Sequence, residues 1–245
     1  MLQVKDLSVN FCSFSAVRNV CLSVSRSEAV ALIGRNGAGK TSLARGIVGL
    51  HDYSGSVHIL AQAGEIISLK GLRPWIIAQA GVIYVPEIRS TFEGLSVQEN
   101  LRVGPAALGI HDGRVADLLA DVYSTFPVLE TRKQQTAGSL SGGERKLLAI
   151  GRALALGLAL RREKLQEFVV LVVDEPTHGL HPSASRSLLE AFNRLTLQGF
   201  ALLILEQEEG FALRAGSRVY VMRNGAIVHS GTSASLSRSD VEALV

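Results

Sequence analysis

The apolar positions change period along the chain. Over the first third, apolar and polar residues alternate, as in "LQVKDLSV", "VCLSVS" and "SGSVHIL". Alternation puts one side of a strand in a core and the other in water, so these runs predict antiparallel strands. "AVALIG", residues 29–34, has no polar position and predicts a strand buried on both faces. It runs into glycine-rich "GRNGAGKT" and then "SLARGIVGL", where Leu43, Ile47 and Leu50 share one helical face.

The middle, roughly residues 70–165, follows a mostly helical period, and Ser96 and Glu99 in "LSVQENL" form a candidate capping box. From about residue 168 the pattern changes again. "FVVLVVDE" and "FALLILEQ" read as buried strands, and "SRSLLEAFNRL" as a helix with Leu188, Phe192 and Leu195 in register. "SRVYVMRNGAIVHSG" reads as a hairpin turning at Asn224-Gly225. Buried strands alternating with helices predict an α/β fold, a parallel sheet wrapped by helices. No repeat, low-complexity tract or linker divides the chain, so residues 1–245 are expected to form a single domain.

Composition narrows the function classes. Forty-seven per cent of the 245 residues are apolar, enough for a large core, and 24 glycines with six prolines do not signal disorder. The net charge is only +3 and the basic residues are scattered, which argues against a nucleic-acid partner. Cys12 and Cys21 lack metal-ligand spacing and are expected to be ordinary residues in a reducing compartment. "MLQVKDLSV" lacks the charged-then-apolar pattern of a secretory leader. No apolar run reaches the roughly 18–20 residues a spanning helix needs. The longest, "LLAIGRALALGLAL", carries Arg152. A membrane role therefore calls for a second chain that does the spanning.

Three motifs carry chemistry. Gly34 to Thr41 fits G-x-x-x-x-G-K-[ST], between a buried strand and a helix. Such a loop turns backbone N–H groups onto phosphate oxygens, and the helix adds its positive N-terminal end. Lys40 is expected to reach the β- and γ-phosphates, and the Thr41 hydroxyl to ligate Mg²⁺. Asp174 and Glu175 end a buried strand. Asp174 suits the same Mg²⁺, and Glu175 suits the general base that polarises an attacking water. Finally, Ser141 and Glu144 in "LSGGERKLL" form a capping box. The helix it opens begins with Gly142 and Gly143, whose bare amides make a second anion site. One chain with one phosphate loop does not need two such sites, so this helix is expected to cap a γ-phosphate held by another subunit.

"GRNGAGKT", "LSGGE" and "VVDEPT", in that order, resemble the ATP-binding subunit of an ABC transporter over essentially the whole chain. The resemblance implies a P-loop NTPase, an ABC-type nucleotide-binding domain with an antiparallel β subdomain and a helical subdomain at roughly 88–160. It implies ATP and Mg²⁺, and two such domains sandwiching two ATP molecules head to tail. Gly34, Arg35, Asn36, Gly37, Ala38, Gly39, Lys40, Thr41 and Ser42 are then expected to hold one ATP. Ser141, Gly142 and Gly143 would meet the partner's ATP. Phe11 stands where the family stacks an aromatic ring on adenine, with Phe14 as the alternative. Glu87, in "YVPEIRSTF", replaces the glutamine that senses the transporter and helps place Mg²⁺. Gln207, in "LLILEQEEG", replaces the switch histidine. It can donate an N–H to the γ-phosphate but does not titrate near neutral pH.

The Pro-Glu pair at residue 87, "LLAIGRAL", the Gly-Leu-x-Pro turn and the Glu-Gln pair at residue 207 resemble one subfamily. It serves importers of branched-chain amino acids, with close relatives for urea and short amides, and this chain is similar to the shorter of its two ATPases. The implied partners are transmembrane permease subunits, a second ATPase subunit and, indirectly, a solute-binding protein. The implied place is peripheral, on the cytoplasmic face of the inner membrane, with motion passed to the permease through Glu87 to Phe92. Two rival readings are weaker. A soluble ABC protein that remodels DNA or ribosomes usually carries a coiled-coil insertion or a second ATPase domain. A non-hydrolysing regulatory subunit would not need Lys40, Asp174 and Glu175 together. Two features lie outside the family pattern. "ALGLALRREKLQEF", 155–168, is longer than the usual connection and is expected to extend a helix. His178 and His181 form H-x-x-H in a loop that lacks a further ligand, and are read as part of the nucleotide turn rather than a metal pair.

Overall fold

The computed structural model describes residues 1–60, 65–88, 90–111 and 113–245. In chain order the elements begin with β1 (Leu2–Phe11), β2 (Phe14–Val24), β3 (Ala29–Ile33) and α1 (Lys40–Ile47). Then come β4 (Ser54–Leu60), β5 (Ile66–Ser68), α2 (Pro74–Gln79) and β6 (Val82–Val85). The helices α3 (Val97–Ala107), α4 (Gly113–Thr125), α5 (Pro127–Thr131) and α6 (Gly142–Arg162) follow. The last part holds β7 (Val170–Asp174), α7 (Pro182–Leu197), β8 (Ala201–Glu206), α8 (Glu209–Ala215), β9 (Arg218–Arg223), β10 (Ala226–Thr232) and α9 (Arg238–Leu244).

Two sheets result. The alternating N-terminal runs form an antiparallel sheet in the order β2-β1-β4-β5. The continuous apolar runs form a larger sheet in the order β10-β9-β3-β8-β7-β6, parallel except at its β10 edge. Its central strands β3, β8 and β7 are buried on both faces, which is why their runs are apolar up to the acidic residue that ends β7 and β8. Leu171, Val173, Leu202 and Ile204 face a core shared with α6 and α7, through Leu154 and Phe192. Their neighbours Val170, Val172, Leu203 and Leu205 face a core shared with α1 and the antiparallel sheet, through Leu43, Ile47, Leu7 and Val9. The region read as mostly helical also contains β6, at four residues too short for its period to show.

Both capping boxes form, with Ser96 and Ser141 each accepting from the backbone N–H three residues on. Asn224 and Gly225 turn the last hairpin at φ 49° and 83°, the left-handed pair that suits the twist of the flanking strands. The extension beyond residue 155 continues α6 to Arg162. Gly157 lets that helix lie on Phe200, whose ring atom stands 2.7 Å from where a Cβ would be. The end of α6 is tied to α4 by Arg162–Asp121, and Arg114 on α4 reaches Glu163 at 3.1 Å. Cys12 and Cys21 are free and exposed. Among the described residues, no helix is long and apolar enough to cross a membrane.

Candidate functional site

The phosphate loop sits at the C-terminal end of β3, in the middle of the parallel sheet, where the strand ends and α1 begins. Gly39 caps α1 in the left-handed region at φ 104°, and a Cβ there would lie 2.4 Å from the Ala16 carbonyl oxygen. Only glycine fits both demands. Lys40 is buried at the first turn of α1, and its ammonium donates to the Gly34 carbonyl at 2.7 Å and the Arg35 carbonyl at 3.3 Å. It also lies 3.1 Å from Glu175 Oε1. A cavity of about 460 Å³ gathers Asn36 to Ser42 with Phe11, Phe14, Glu87 and Glu175. Phe11 and Phe14 face each other across the β1–β2 turn. The Phe11 ring also makes an edge contact with His51, at 5.1 Å between centroids.

Asp174 ends β7 and is buried. Thr41 Oγ1 donates to its Oδ1 at 3.2 Å, and the Tyr84 hydroxyl donates to its Oδ2 at 2.8 Å. Burial raises the Asp174 pKa, and the hydrogen bonds from Tyr84 and Thr41 oppose that rise. Burial, then the Asp174 charge, pushes the Tyr84 hydroxyl well above the usual phenol range, so it stays a donor. Thr41 and Asp174 therefore present adjacent hard oxygen ligands, a donor set that fits Mg²⁺. Tyr84 was invisible in sequence because it is one ring in an apolar run.

Glu175, the next residue, adopts φ 44°. A side chain there costs about 1–2 kcal/mol of backbone strain, so the surroundings must hold it. Its N–H donates to the Leu205 carbonyl at 2.8 Å, and its carbonyl accepts from Lys146 Nζ at 3.1 Å. This backbone turn swings Glu175 towards Lys40 while Asp174 stays inside.

The remaining predicted residues divide into two groups. Glu87 lies on the same cavity, but its carboxylate pairs with His178 Nδ1 rather than with Thr41 or Asp174. Glu87, Glu175 and His178 offer ligand atoms within 4.8 Å of one another. His181 instead caps α7 and accepts from the Ser183 N–H, so the two histidines of H-x-x-H serve different elements. Gln207 follows β8 and is exposed, with its N–H donated to Glu206 Oε2 at 2.9 Å. Glu206, which in sequence is only the first of the Glu-Gln pair, is buried. It accepts from the Thr177 N–H at 2.8 Å, the Thr177 hydroxyl at 2.6 Å and the Glu208 N–H at 3.2 Å. That carboxylate ties the segment carrying Gln207 to the turn carrying Glu175.

Ser141 and Gly142 are exposed at the start of α6 and do not line the phosphate-loop cavity. A Cβ on Gly142 would meet nothing within 4 Å, and Gly142 lines a separate cavity with Glu87, Lys146 and His178. Another cavity, about 540 Å³ and mostly apolar, is lined by Trp75, Phe92, Leu108, Arg152 and Leu156 among others. Phe92 is fixed there by Asn100, which is wholly buried, accepts its N–H at 2.8 Å and donates to its carbonyl at 2.9 Å. The Arg152 guanidinium lies 4.4 Å from the Phe92 ring centroid. Residue 89 of the Glu87–Phe92 segment lies outside the described residues.

Comparison with known proteins supplies the context for this geometry. The sequence model of the family described as ABC transporter matches residues 17–178. The chain is 36% identical over 237 residues to the high-affinity branched-chain amino acid transport ATP-binding protein BraG of Pseudomonas aeruginosa, covering 96% of this chain and 94% of that one. It is 29% identical to the probable branched-chain amino acid transport ATP-binding protein LivF of Archaeoglobus fulgidus, covering 95% and 92%. Among solved structures, an ATP-binding subunit of an ABC transporter superposes with a TM-score of 0.75 at 28% identity, covering 95% and 90%.

Proposed function

Because this chain belongs to the ABC transporter family and is an ATPase with that family's cassette fold, we propose that it powers an importer of branched-chain amino acids. The convergence of Lys40, Thr41 and Glu175 on one cavity supports the hydrolytic role. The 36% identity to BraG, over nearly both whole chains, supports the solute.

In this reading the phosphate loop, Gly34 to Ser42, wraps the phosphates with its amides, and Phe11 or Phe14 stacks on adenine. Lys40 exchanges its contact with Glu175 for phosphate oxygens. Glu175 then accepts the proton of the attacking water. Gln207 donates its amide N–H to the γ-phosphate. Mg²⁺, when bound, neutralises phosphate charge; Thr41 and Asp174 would hold it, with Glu87 at the edge of the site. Ser141, Gly142 and Gly143 do not line this chain's own phosphate-loop cavity, which supports their acting on ATP bound by a second ATPase subunit.

The apolar cavity beside Phe92 is the seat we assign to a permease subunit, since Trp75 and Phe92 are both about half exposed there. The protein then works as a peripheral subunit at the cytoplasmic face of the membrane. The test is uptake by proteoliposomes containing this chain and the membrane chains that co-purify with it. ATP-driven uptake of labelled leucine is expected. Uptake of urea or glutamine but not leucine would overturn the solute, and the absence of any membrane chain would overturn the importer.

A further inference from the structure

Lys146 is a buried charge that the proposed mechanism leaves unused. It lies on α6, five residues from Ser141, or about 7.5 Å along the helix. It is 7% exposed. Its ammonium donates to two backbone carbonyls from distant parts of the chain, that of Glu87 at 3.0 Å and that of Glu175 at 3.1 Å. Burial lowers its pKa, while the carboxylates of Glu87, Glu206, Asp174 and Glu175 oppose the drop. A buried ammonium is costly unless its donors are satisfied, and here it is spent on two main-chain oxygens beside the hydrolysis site.

Both recipients need holding. Glu175 is in the left-handed region, and the peptide on its C-terminal side has Lys146 as its side-chain donor. Glu87 begins the segment that ends at Phe92. Farther along α6, Arg152 donates to the Ser90 carbonyl and stacks on Phe92. One helix therefore grips the Glu87–Phe92 segment at two points and the Glu175 turn at one, while Ser141 and Gly142 at its start are exposed.

We propose that Lys146 is a positioning residue for hydrolysis: it ties the Glu175 turn and the Glu87 segment to the helix that opens at Ser141, so that seating this helix on the partner's ATP sets the base in its own site. The inference rests on the ATP-sandwich reading above. It makes Lys146 the short link between the two nucleotide sites and the permease-facing segment. Met has a similar shape and no donors, whereas Gln keeps two N–H donors on a neutral group, so the pair separates donation from bulk.

The experiment is steady-state ATP hydrolysis by the protein purified with its membrane partners, comparing wild type, Lys146→Met, Lys146→Gln and Glu175→Gln. Lys146→Met is expected to lower kcat at least about tenfold while KM for ATP stays within about twofold, the pattern of an interaction needed only for turnover. Its Hill coefficient for ATP should fall towards one, since coupling between sites is lost. Lys146→Gln should recover kcat to within about threefold of wild type. Wild-type kcat and cooperativity in Lys146→Met would overturn the proposal, and so would a Lys146→Gln as slow as Lys146→Met. Glu175→Gln separates the two failures: if it is inactive while Lys146→Met is normal, only the role of Lys146 falls; if it is active, the reading of the site falls with it.

Discussion

The Lys40 ammonium lies 3.1 Å from the Glu175 carboxylate, and the two side chains are only 4% and 12% exposed. The residue proposed to bind phosphate and the residue proposed to activate water thus hold each other in the same cavity. In that reading, arriving phosphates give Lys40 a stronger anionic partner and release Glu175. Lys40→Ala removes the equivalent of at least one charge-assisted hydrogen bond of about 1.5–3 kcal/mol, so ATP affinity should fall at least about tenfold. Titration with a fluorescent ATP analogue checks this, and unchanged affinity would contradict the phosphate-loop reading.

Asp174 predicts a pH-dependent stability. Burial raises its pKa in the folded state. As pH rises from about 4, the unfolded chain releases this proton first. Stability is therefore lost as pH rises through the window up to the folded-state value. Asp174→Asn should raise the melting temperature at pH 7, without nucleotide or divalent metal, and the gain should vanish near pH 4. Tyr84→Phe works the opposite way, removing a donor from a buried carboxylate at a cost of about 1–3 kcal/mol. A lower melting temperature for Asp174→Asn at pH 7 would show that the carboxylate stabilises the fold instead.

Gln207 cannot titrate, so turnover should show no step from this residue between about pH 6 and 8. Gln207→His should be tolerated, because either side chain donates one N–H. Gln207→Ala should raise the barrier by about 1.5–3 kcal/mol. Its backbone is held by Glu206 in all three forms, so the comparison isolates the side chain. Equal ATPase rates for Gln207→Ala and wild type would remove residue 207 from the site.

Ser141→Arg places a long cation where the partner's γ-phosphate is expected. ATP binding to the single chain should persist, while ATP-dependent closure of the dimer should fail. Closure is best followed by ATP-dependent association in a Glu175→Gln background, and normal association would give Gly142 and Gly143 another purpose.

Much of this arrangement was legible because local rules carry it. Gly39 must be glycine, the capping boxes at Ser96 and Ser141 are four-residue signals, and the double-sided burial of β3, β7 and β8 shows as unbroken apolar runs. Partnership across the chain left no local trace. Lys146 and Glu87 are 59 positions apart, Glu206 and Thr177 29, and Tyr84 and Asp174 90. Each is a polar side chain in or beside an apolar run, and only the fold says which partner satisfies it. In sequence His178 belongs to the nucleotide turn, and its partner Glu87 lies 91 residues away.

In the proposed function, Glu175 activates the water that cleaves ATP. The most direct measurement of that role is ATP binding and single-turnover hydrolysis by Glu175→Gln beside wild type. ATP affinity is expected to stay close to wild type while the hydrolysis rate falls about 10²–10⁴-fold, the usual contribution of a general base. A Glu175→Gln protein that binds and cleaves ATP at the wild-type rate would contradict it.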